Sequence, residues 1–330
     1  MTYRAALVGC GRIGADINPP GVGSSRLGSH AAAYAASARV DLVAACDPDE
    51  GRRTEAQRRW NIPNVYATVD AMLAAEALDI VSVTTPTDGR PALLRQLLES
   101  GRVRAVLAEK PLAGSADEAS DLEVRTARAG VIGAVNYVRR YAPGYRRAVD
   151  DIQAGRLGDI QSVRGIYTKG LLNNGGHMLD LLRWLFGDPA SIEVTGAFEE
   201  LPGDPTMSAR LRYAAFDATL EGLHYTEASI FELDVIGTRG RLVFADLGHR
   251  LLRWDVEDTM AQYGFRQFSP EPRASNPGLD RALDAAVENL ADALDGAAAP
   301  FCTFEDGRAA LALALAVRDR AQPRHAGLSS

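Results

Sequence analysis

A glycine-rich turn follows the first strand-like run of the chain, and it restricts the possible folds more than any other feature. The apolar run YRAALV, at residues 3–8, leads into the spacing GxGxxG, with glycines at Gly9, Gly11 and Gly14. In this motif the first glycine permits a tight turn, the second lets the backbone approach a pyrophosphate, and the third lets helix and strand pack closely. Arg12 and Ile13 would begin the helix whose N-terminus faces the phosphates. The pattern predicts a dinucleotide site, and a glycine-rich turn of purely structural role is the alternative.

An acidic residue ends the second predicted strand, VDLVAACD, at Asp47. In the dinucleotide fingerprint such a residue lies about 20 residues further on and binds the ribose hydroxyls. Asp47 instead lies 33 residues after Gly14. The stretch 15–28 is rich in proline and glycine and cannot continue a helix. We therefore predict an inserted loop of about 14 residues near the cofactor mouth, either a lid or a surface excursion, followed by a helix capped by Ser29.

The charges near this strand end indicate which dinucleotide would bind. Asp47 favours NAD, because a carboxylate there would repel a 2′-phosphate. Arg52 and Arg53 leave NADP possible, although they also fit a solvated helix face. For His30, which begins the helix after the insertion, a structural role is favoured over a place at the cofactor edge.

Further strands are predicted at 78–86, 103–111 and 130–137, with helical stretches between them. This alternation predicts an α/β fold with a parallel, doubly wound sheet that binds ligands at the carboxyl ends of its strands. The polar and proline residues expected at these ends are Thr85, Pro86, Glu109, Lys110, Asn136 and Tyr137. A lysine that ends a buried strand is not where solvated lysines usually lie, and the Lys110-Pro111 bond can be cis.

A histidine in the second half of the chain lies off the apolar stripe of a predicted helix. In KGLLNNGGHMLDLLRWLFGDP, residues 169–189, the apolar residues at helical spacing are Met178, Leu181, Leu182 and Leu185. A different side carries Asn173, His177, Asp180 and Trp184, and Gly187 is expected to end the helix. Solvent exposure by itself explains such a polar face, so a functional role for His177 needs support from the rest of the chain.

Short alternating runs separated by Gly, Pro or Asp lie at 160–168 and, after the predicted helix, from 192 to 247, where they follow one another without helices between them. Such runs predict antiparallel strands with one covered face. Two helices are predicted after them, at 276–296 and 303–321. A length of 330 residues favours two domains, which we place at 1–120 and 121–330, with the C-terminal helices able to pack back on the first.

Composition excludes several classes of partner. A net charge of −7 and a pI near 5.4 argue against a nucleic-acid surface. No apolar run approaches the roughly 18 to 20 residues of a membrane span, and we read no signal peptide at the N-terminus. The cysteines Cys10, Cys46 and Cys302 form no CxxC pair and no metal-ligand spacing. We expect a reduced, cytoplasmic enzyme that needs no metal.

With GCGRIG, TTP, AEKPLA and GGHMLD in this order, the chain resembles the Gfo/Idh/MocA family over nearly its whole length. The EKP at 109–111 is the most specific of these elements. The resemblance implies an NAD(P)-dependent oxidoreductase of sugars, cyclitols or nucleotide sugars. It also implies a Rossmann domain followed by an α/β domain with a large, open, mostly antiparallel sheet. That second domain would bind substrate and form a homodimer or homotetramer through the sheet.

The resemblance further implies which residues act. The lysine of EKP is Lys110, which in the family lies beside the nicotinamide and the substrate hydroxyl. His177 matches the histidine of the family's D-x-G-x-H motif, whereas Asn173 stands where that motif has its aspartate. Asp180 matches a frequent acidic position. Independently of the resemblance, Tyr137 at its strand end is expected to reach nicotinamide or substrate. Lys169 is expected to contact a substrate hydroxyl, carboxylate or phosphate, with a solvated lysine as the alternative. The histidine of the family's TPNxxH motif is absent, because the chain reads TPTDGR and ends the motif with Arg90.

Oxidation of a secondary alcohol requires loss of a hydride and of the hydroxyl proton. His177 is the expected general base, since its unperturbed pKa of about 6.5 suits proton transfer near neutrality. Lys110 would stabilise the developing alkoxide. Asn173 carries no charge, so His177 should titrate lower than beside an aspartate unless Asp180 compensates. A noncatalytic NAD-binding regulator and a redox-neutral glycoside cleavage remain alternatives.

Overall fold

The chain forms two compact units. A computed structural model describes residues 2–16 and 28–320, so residues 17–27 of the predicted inserted loop lie outside the described residues. The first unit consists of Met1–Arg146 with Gly278–Leu311, and the second of Arg147–Pro277 with Ala312–Ser330. The domain boundary placed near residue 120 from the sequence stays a prediction.

A six-stranded sheet forms the first unit. Its strands are β1 (Tyr3–Val8), β2 (Val40–Cys46), β3 (Asn64–Tyr66), β4 (Ile80–Val83), β5 (Ala105–Ala108) and β6 (Ile132–Val135). They pair in the order β3-β2-β1-β4-β5-β6, and all neighbours are parallel. The order reverses between β1 and β4, which is where open sheets of this kind bind ligands. The predicted parallel, doubly wound sheet is confirmed.

Short helices connect these strands: α1 (Arg12–Ala15), α2 (His30–Ala36), α3 (Glu50–Trp60), α4 (Val69–Ala75), α5 (Arg90–Glu99) and α6 (Ala116–Ala129). The helix after the glycine turn is in two pieces, since α1 stops at Asp16, which adopts a left-handed φ of 58°. Arg59 on α3 donates to the carbonyl and the carboxylate of Asp16, at 2.9 and 2.6 Å. The second piece, α2, begins as predicted, because the Ser29 hydroxyl accepts from the Ala32 N–H at 3.2 Å.

The second unit contains a nine-stranded sheet and two helices, the first of which begins within the first unit. The helices are α7 (Pro143–Gln153) and α8 (Gly176–Phe186), and the strands are β7 (Ile160–Thr168), β8 (Ser191–Leu201), β9 (Asp204–Arg212), β10 (Asp217–Leu223), β11 (Phe231–Gly237), β12 (Gly240–Ala245), β13 (Arg250–Glu257), β14 (Gln267–Phe268) and β15 (Arg273–Ser275). The order is β14-β13-β12-β11-β7-β10-β9-β8, and β15 pairs with β13. Every pair is antiparallel except β7 with β10. The large, mostly antiparallel sheet is therefore confirmed.

Helix α8 covers one face of this sheet through its predicted apolar stripe. Met178, Leu181 and Leu182 are fully buried, and Leu185 is 4 % exposed. Met178 lies directly over Gly165 on β7, where the sulfur would be only 2.8 Å from a Cβ. Gly187 ends the helix with a φ of 78°. The interpretation of this segment as an amphipathic helix is confirmed, and the packing fixes which side His177 presents.

The last two helices are α9 (Ala282–Leu294) and α10 (Phe304–Asp319). Helix α9 and the first half of α10 belong to the first unit, and α10 from Ala312 on belongs to the second. Arg39 donates to Asp292 and Asp295 on and just after α9, at 2.6 and 2.7 Å. Phe304 at the start of α10 packs against Gly133 on β6, where only a glycine leaves room for the ring. Both predicted C-terminal helices are present.

Two general features complete the description. Within residues 2–16 and 28–320, no helix is long and apolar enough to cross a membrane. The same residues contain no group of three or more histidine, cysteine and acidic side chains placed to hold a metal ion.

Candidate active site

The glycine turn after β1 has the close contacts that its spacing predicts. Gly9 adopts a φ of +98°, which side chains with a Cβ rarely adopt. A Cβ on Gly14 would clash with the Gly9 carbonyl and would lie 2.5 Å from the Thr84 hydroxyl oxygen. That hydroxyl donates to the Gly9 carbonyl at 2.6 Å and so ties the turn to the end of β4. At Gly11 a Cβ would meet no atom of the described residues within 4 Å.

The two residues between the glycines lie at the start of α1. Arg12 is exposed and Ile13 is half-buried. Among the described residues, this arrangement and the uncrowded backbone at Gly11 leave room for a phosphate group beside the turn. The turn therefore fits the pyrophosphate of a dinucleotide on geometric grounds.

Asp47 lies just beyond β2 and beside the glycine turn. One carboxylate oxygen accepts from the Cys10 N–H at 2.7 Å and the other from the Asp49 N–H at 2.9 Å. The side chain is largely buried, and each oxygen keeps a second lone pair for a ribose hydroxyl. Burial, Asp47 and Cys46 raise the pKa of the Cys10 thiol to about 12, so this cysteine is an inert packing residue.

The two arginines that leave NADP possible differ in their surroundings. Arg53 donates to the Pro48 carbonyl at 3.1 Å and to the Asp47 carbonyl at 3.4 Å. Arg52 is exposed and lies 3.8 Å from the Asp49 carboxylate. Both guanidinium groups thus interact within their own loop and helix, which weakens the case for a 2′-phosphate site.

The ends of β4 and β6 carry two buried polar atoms without a hydrogen-bond partner among the described residues. They are the Thr85 hydroxyl oxygen and the Asn136 amide oxygen. Pro86 follows Thr85 and is exposed, whereas Tyr137 follows Asn136 and is 2 % exposed. Buried polar atoms are nearly always paired in a folded protein. These two atoms therefore fit a site that a polar ligand completes.

A buried polar network lies at the end of β5. The His30 ring contacts the Ser82 hydroxyl through Nδ1, at 2.9 Å, and the Glu109 carboxylate through Nε2, at 3.0 Å. The Asn136 amide donates to the same Glu109 oxygen at 2.6 Å. Tyr34 completes the network through the Ser82 hydroxyl, at 2.6 Å. His30 thus has the structural role favoured from the sequence, but in direct contact with a predicted cofactor-site residue.

The charge of Glu109 follows from this network. Burial by itself raises the pKa of the carboxyl group, but hydrogen bonding and charge attraction from His30, the amide of Asn136 and the charge of Lys110 outweigh it. The pKa of Glu109 therefore lies below its ordinary value, and the group is a carboxylate near neutral pH. The Glu109 carboxylate therefore places a buried negative charge directly beside Lys110.

Lys110 directly follows this carboxylate and is half-buried. Its N–H donates to the second Glu109 oxygen at 3.3 Å, and the Lys110-Pro111 bond is cis. Arg90 at the start of α5 donates to the carbonyls of Glu109 and Pro111 on either side of it. Sequence reasoning missed this role of Arg90, although the motif position that it occupies was visible.

The residues predicted for substrate and proton transfer in the second unit share one segment. Lys169 and Gly170 adopt left-handed φ values of 72° and 78° at the end of β7, and residues Gly170–Gly175 form a π-helical turn that continues into α8. Asn173 and His177 are half-buried, and Asp180 is 2 % exposed. The π turn was not predicted, because a projection at 100° per residue assumes α geometry. Such turns are frequent at functional sites.

A carboxylate that the sequence did not single out holds this turn. Asp204 at the start of β9 accepts from the N–H of Leu172 at 2.7 Å and from the N–H of Asn173 at 3.0 Å. The neighbouring Thr206 hydroxyl accepts from the Gly170 N–H at 3.0 Å. These bonds satisfy backbone donors at the start of the helical segment that carries Asn173 and His177.

Each unit therefore brings one set of predicted residues together. In the first unit, the glycine turn, Asp47 and the ends of β4, β5 and β6 lie along the carboxyl edge of the parallel sheet. In the second unit, Lys169, Asn173, His177 and Asp180 lie on the turn and helix that follow β7.

Known proteins resemble this chain along much of its length. It is 26 % identical over 239 residues to scyllo-inositol 2-dehydrogenase (NAD(+)) of Bacillus subtilis (strain 168), covering 63 % of this chain and 67 % of that protein. It is also 26 % identical over 317 residues to rhizopine catabolism protein MocA of Rhizobium meliloti, covering 90 % and 93 %. The solved structure of levoglucosan dehydrogenase in complex with NADH and levoglucosan superimposes with a TM-score of 0.81 at 17 % identity, covering 97 % of each chain. This structural likeness concerns the fold.

Two family models match consecutive parts of the chain. Residues 3–137 match the oxidoreductase family's NAD-binding Rossmann fold, and residues 167–328 match the same family's C-terminal alpha/beta domain. The first match contains the glycine turn and Lys110, and the second contains His177. The chain belongs to the Gfo/Idh/MocA oxidoreductase family.

Proposed function

We propose that this protein is an NAD(P)-dependent oxidoreductase that transfers a hydride between the nicotinamide and a secondary alcohol or ketone of a sugar, cyclitol or nucleotide sugar. One observation carries the proposal. The glycine turn after β1 and Lys110 after β5 lie at the carboxyl edge of one parallel sheet, where such sheets bind ligands. The relatives named as dehydrogenases of inositol and levoglucosan support the substrate class.

The residues of the first unit fit the dinucleotide. Gly9, Gly11 and Gly14, with Arg12 and Ile13, would hold the pyrophosphate, and Asp47 would accept from the ribose hydroxyls. Thr85, Pro86, Glu109, Lys110 and Asn136 would surround the nicotinamide. The buried hydroxyl of Thr85 and the buried amide oxygen of Asn136 support this part of the proposal. When bound, the dinucleotide supplies the hydride acceptor or donor.

The chain itself handles the proton of the reacting hydroxyl. His177 would accept it as general base during oxidation and return it during reduction. Lys110, which directly follows Glu109, would donate a hydrogen bond to the same oxygen and stabilise its negative charge. Tyr137 and Lys169 would contact other groups of the substrate.

Asn173 stands where the family motif has an aspartate, so it would position His177 or a substrate hydroxyl without adding a charge. Asp180 lies one turn beyond His177 on α8, and its buried carboxylate is the proposed partner that supports the imidazolium form. Asp204 holds the backbone of Asn173, so this part of the helix is fixed independently of the missing charge.

Replacement of Asp47 by asparagine is expected to weaken NAD⁺ binding by about 10-fold or more, because a charged acceptor for the ribose is worth about 1.5–3 kcal/mol. NADP⁺ binding should weaken less or improve, since the repulsion of the 2′-phosphate disappears. The measurement is the Kd of each dinucleotide by titration calorimetry. Asp49→Asn is the matched control, since Asp49 lies in the same loop and caps α3 through the Arg52 N–H at 3.0 Å. An unchanged ratio of the two Kd values in Asp47→Asn would refute the role of Asp47.

We also propose a cytoplasmic location and a homodimer or homotetramer that forms through the nine-stranded sheet. Three cysteines that are all free and buried support a reducing compartment. On β11 the side chains alternate between buried and half-buried, so one face is covered and the other is available for a partner. Light scattering of the purified protein would measure the assembly.

The proposed function is tested by incubating the protein with NAD⁺ or NADP⁺ and a panel of free sugars, inositols and nucleotide sugars, while recording the absorbance of the reduced nicotinamide. We expect a substrate-dependent increase with NAD⁺ for at least one member of the panel. Analysis of the same mixtures by mass spectrometry detects cleavage without net NADH. Binding of NADH with neither signal would contradict the enzyme and favour a regulator.

A further inference from the structure

Arg90 is a buried arginine between two strand ends of the first unit. It begins α5 directly after Gly89, and only 3 % of it is exposed. Its guanidinium donates to the Glu109 carbonyl at 2.7 Å and to the Pro111 carbonyl. It also donates twice to the Thr85 carbonyl, once from Nε at 3.2 Å. Four of its five N–H groups are therefore bonded to main-chain carbonyls.

The charge of Arg90 is costly at this place. Burial lowers the pKa of the guanidinium, and the negative charge of Glu109 opposes that effect. Arginines of this structure usually pair with carboxylates, but none of the described acidic side chains lies within ion-pair distance of Arg90. Carbonyl oxygens take over the role of a counter-ion. A buried charge satisfied only by main-chain groups fixes those groups strongly, since each would otherwise lose a charged donor.

The three carbonyls define what Arg90 fixes. Glu109 and Pro111 are the immediate neighbours of Lys110, and Thr85 lies two residues beyond the adjacent strand β4. We propose that Arg90 is a positioning residue for Lys110: its planar guanidinium ties both peptide neighbours of the lysine to the end of β4 and so sets the direction of the lysine side chain. This inference rests on the proposed function, in which Lys110 contacts the substrate hydroxyl.

A second set of bonds fixes the same segment from the side chain of Glu109. His30 and Asn136 bind its carboxylate at 3.0 and 2.6 Å, and the Lys110 N–H binds it at 3.3 Å. Arg90 fixes the main chain, whereas His30 and Asn136 fix the preceding side chain. The hydrogen bonds of Arg90 go to main-chain carbonyls, whereas those of His30 and Asn136 go to the Glu109 carboxylate, which is proposed to line the nicotinamide site. Substitution of Arg90 therefore isolates the positioning effect.

Because the chain contains few lysines, the proposed positioning of Lys110 can be tested by spectroscopy without an activity assay. Its sequence contains only two lysines, Lys110 and Lys169. Protein grown with lysine labelled with carbon-13 at Cε therefore gives two lysine signals, and Lys169→Arg assigns them. The signal of Lys110 reports the surroundings of its ammonium group, with and without NAD⁺.

The test compares Arg90→Met and Arg90→Gln with the intact protein. Arg90→Met keeps a long side chain but has no side-chain hydrogen-bond donor, whereas the amide of Arg90→Gln keeps two N–H donors. The matched control is Arg95→Met on the same helix, since Arg95 pairs with Asp121 at 2.7 Å on the outer side of α5. We expect both Arg90 variants to shift or split the Lys110 signal, with the larger change in Arg90→Met. Turnover should fall roughly 10–100-fold through a misplacement of about 1 Å, while the NADH Kd stays close to that of the intact protein.

A merely structural role predicts a different result. In that case the Arg90 variants lower the midpoint of thermal unfolding, as Arg95→Met does, but leave the Lys110 signal and turnover unchanged. This result would overturn the proposal. If Arg90→Met does not fold, Arg90→Gln is judged by the same two readouts. The role of Lys110 in the proposed function is tested separately, and full turnover of Lys110→Met would contradict it. The Lys110 signal in the Arg90 variants would still show whether Arg90 positions the lysine, so the two failures can be distinguished.

Discussion

Substitution of Lys110 by methionine is expected to lower turnover by roughly 10²–10³-fold, the usual cost of removing one preorganised donor to a developing negative charge. Methionine keeps the length and apolar stem of lysine but has no ammonium group. Because the Glu109 carboxylate lies next to this residue, the substitution also leaves that buried anion with one cation fewer. The measurement is kcat and KM with the substrate found in the panel, together with the NADH Kd by fluorescence.

The pattern of the change matters as much as its size. Loss of a hydrogen bond that forms mainly in the transition state lowers kcat and kcat/KM together, with little effect on KM. Lys169→Met gives the contrast, because loss of a lysine that only contacts the substrate should raise KM and leave kcat nearly unchanged. Equal kcat values for Lys110→Met and the intact protein would exclude Lys110 from the chemical step.

Substitution of His177 by asparagine is expected to lower turnover by roughly 10²–10⁴-fold, the range for loss of a general acid–base group. Since the base must be neutral to accept a proton, kcat/KM for oxidation should fall as the pH decreases through the pKa of the imidazole. The variant should lose this acidic limb. The measurement is the pH profile of kcat/KM for the intact protein and for His177→Asn.

Asn173→Asp is the companion of this experiment. It restores the carboxylate of the family motif one turn before His177, and a nearby negative charge favours the imidazolium. The midpoint of the acidic limb should therefore move to higher pH. His224→Asn is the control for a second imidazole at the same end of the sheet: its ring lies just beyond β10 and pairs with Glu200 at 2.9 Å, and we expect the profile to stay unchanged. A limb that persists in His177→Asn would mean that a different group accepts the proton.

Local patterns in the sequence were sufficient for the elements that carry the site. The glycine spacing, the capping serine at Ser29 and the apolar stripe from Met178 to Leu185 all depend on residues within a few positions of one another. These features depend on the conformational freedom of glycine, on helix-capping hydrogen bonds and on the spacing of apolar residues. Each of these acts over one or two turns of the chain. For that reason the turn, the start of α2 and the buried face of α8 could be predicted from the sequence alone.

The π turn and the parallel pairing of β7 with β10 could not be predicted in this way. The π turn depends on Asp204, which lies 31 residues from Asn173 and accepts its N–H. The pairing of β7 with β10 places two strands side by side with β8 and β9 between them in sequence. Both features are set by partners far along the chain, and period-two alternation contains no information about which strand becomes a neighbour.

The kind of protein follows from local sequence features: a glycine turn after the first strand, lysine and histidine at matching motif positions, and alternating strands typical of two sheets. The surroundings of those residues are visible only in the folded chain. Arg90 reaches carbonyls 19 and 21 residues away, and His30 reaches Glu109 across 79 residues. Main-chain carbonyls are the same at every position, so a bond to them leaves no mark in the sequence, and only the folded chain shows which ones a buried guanidinium holds.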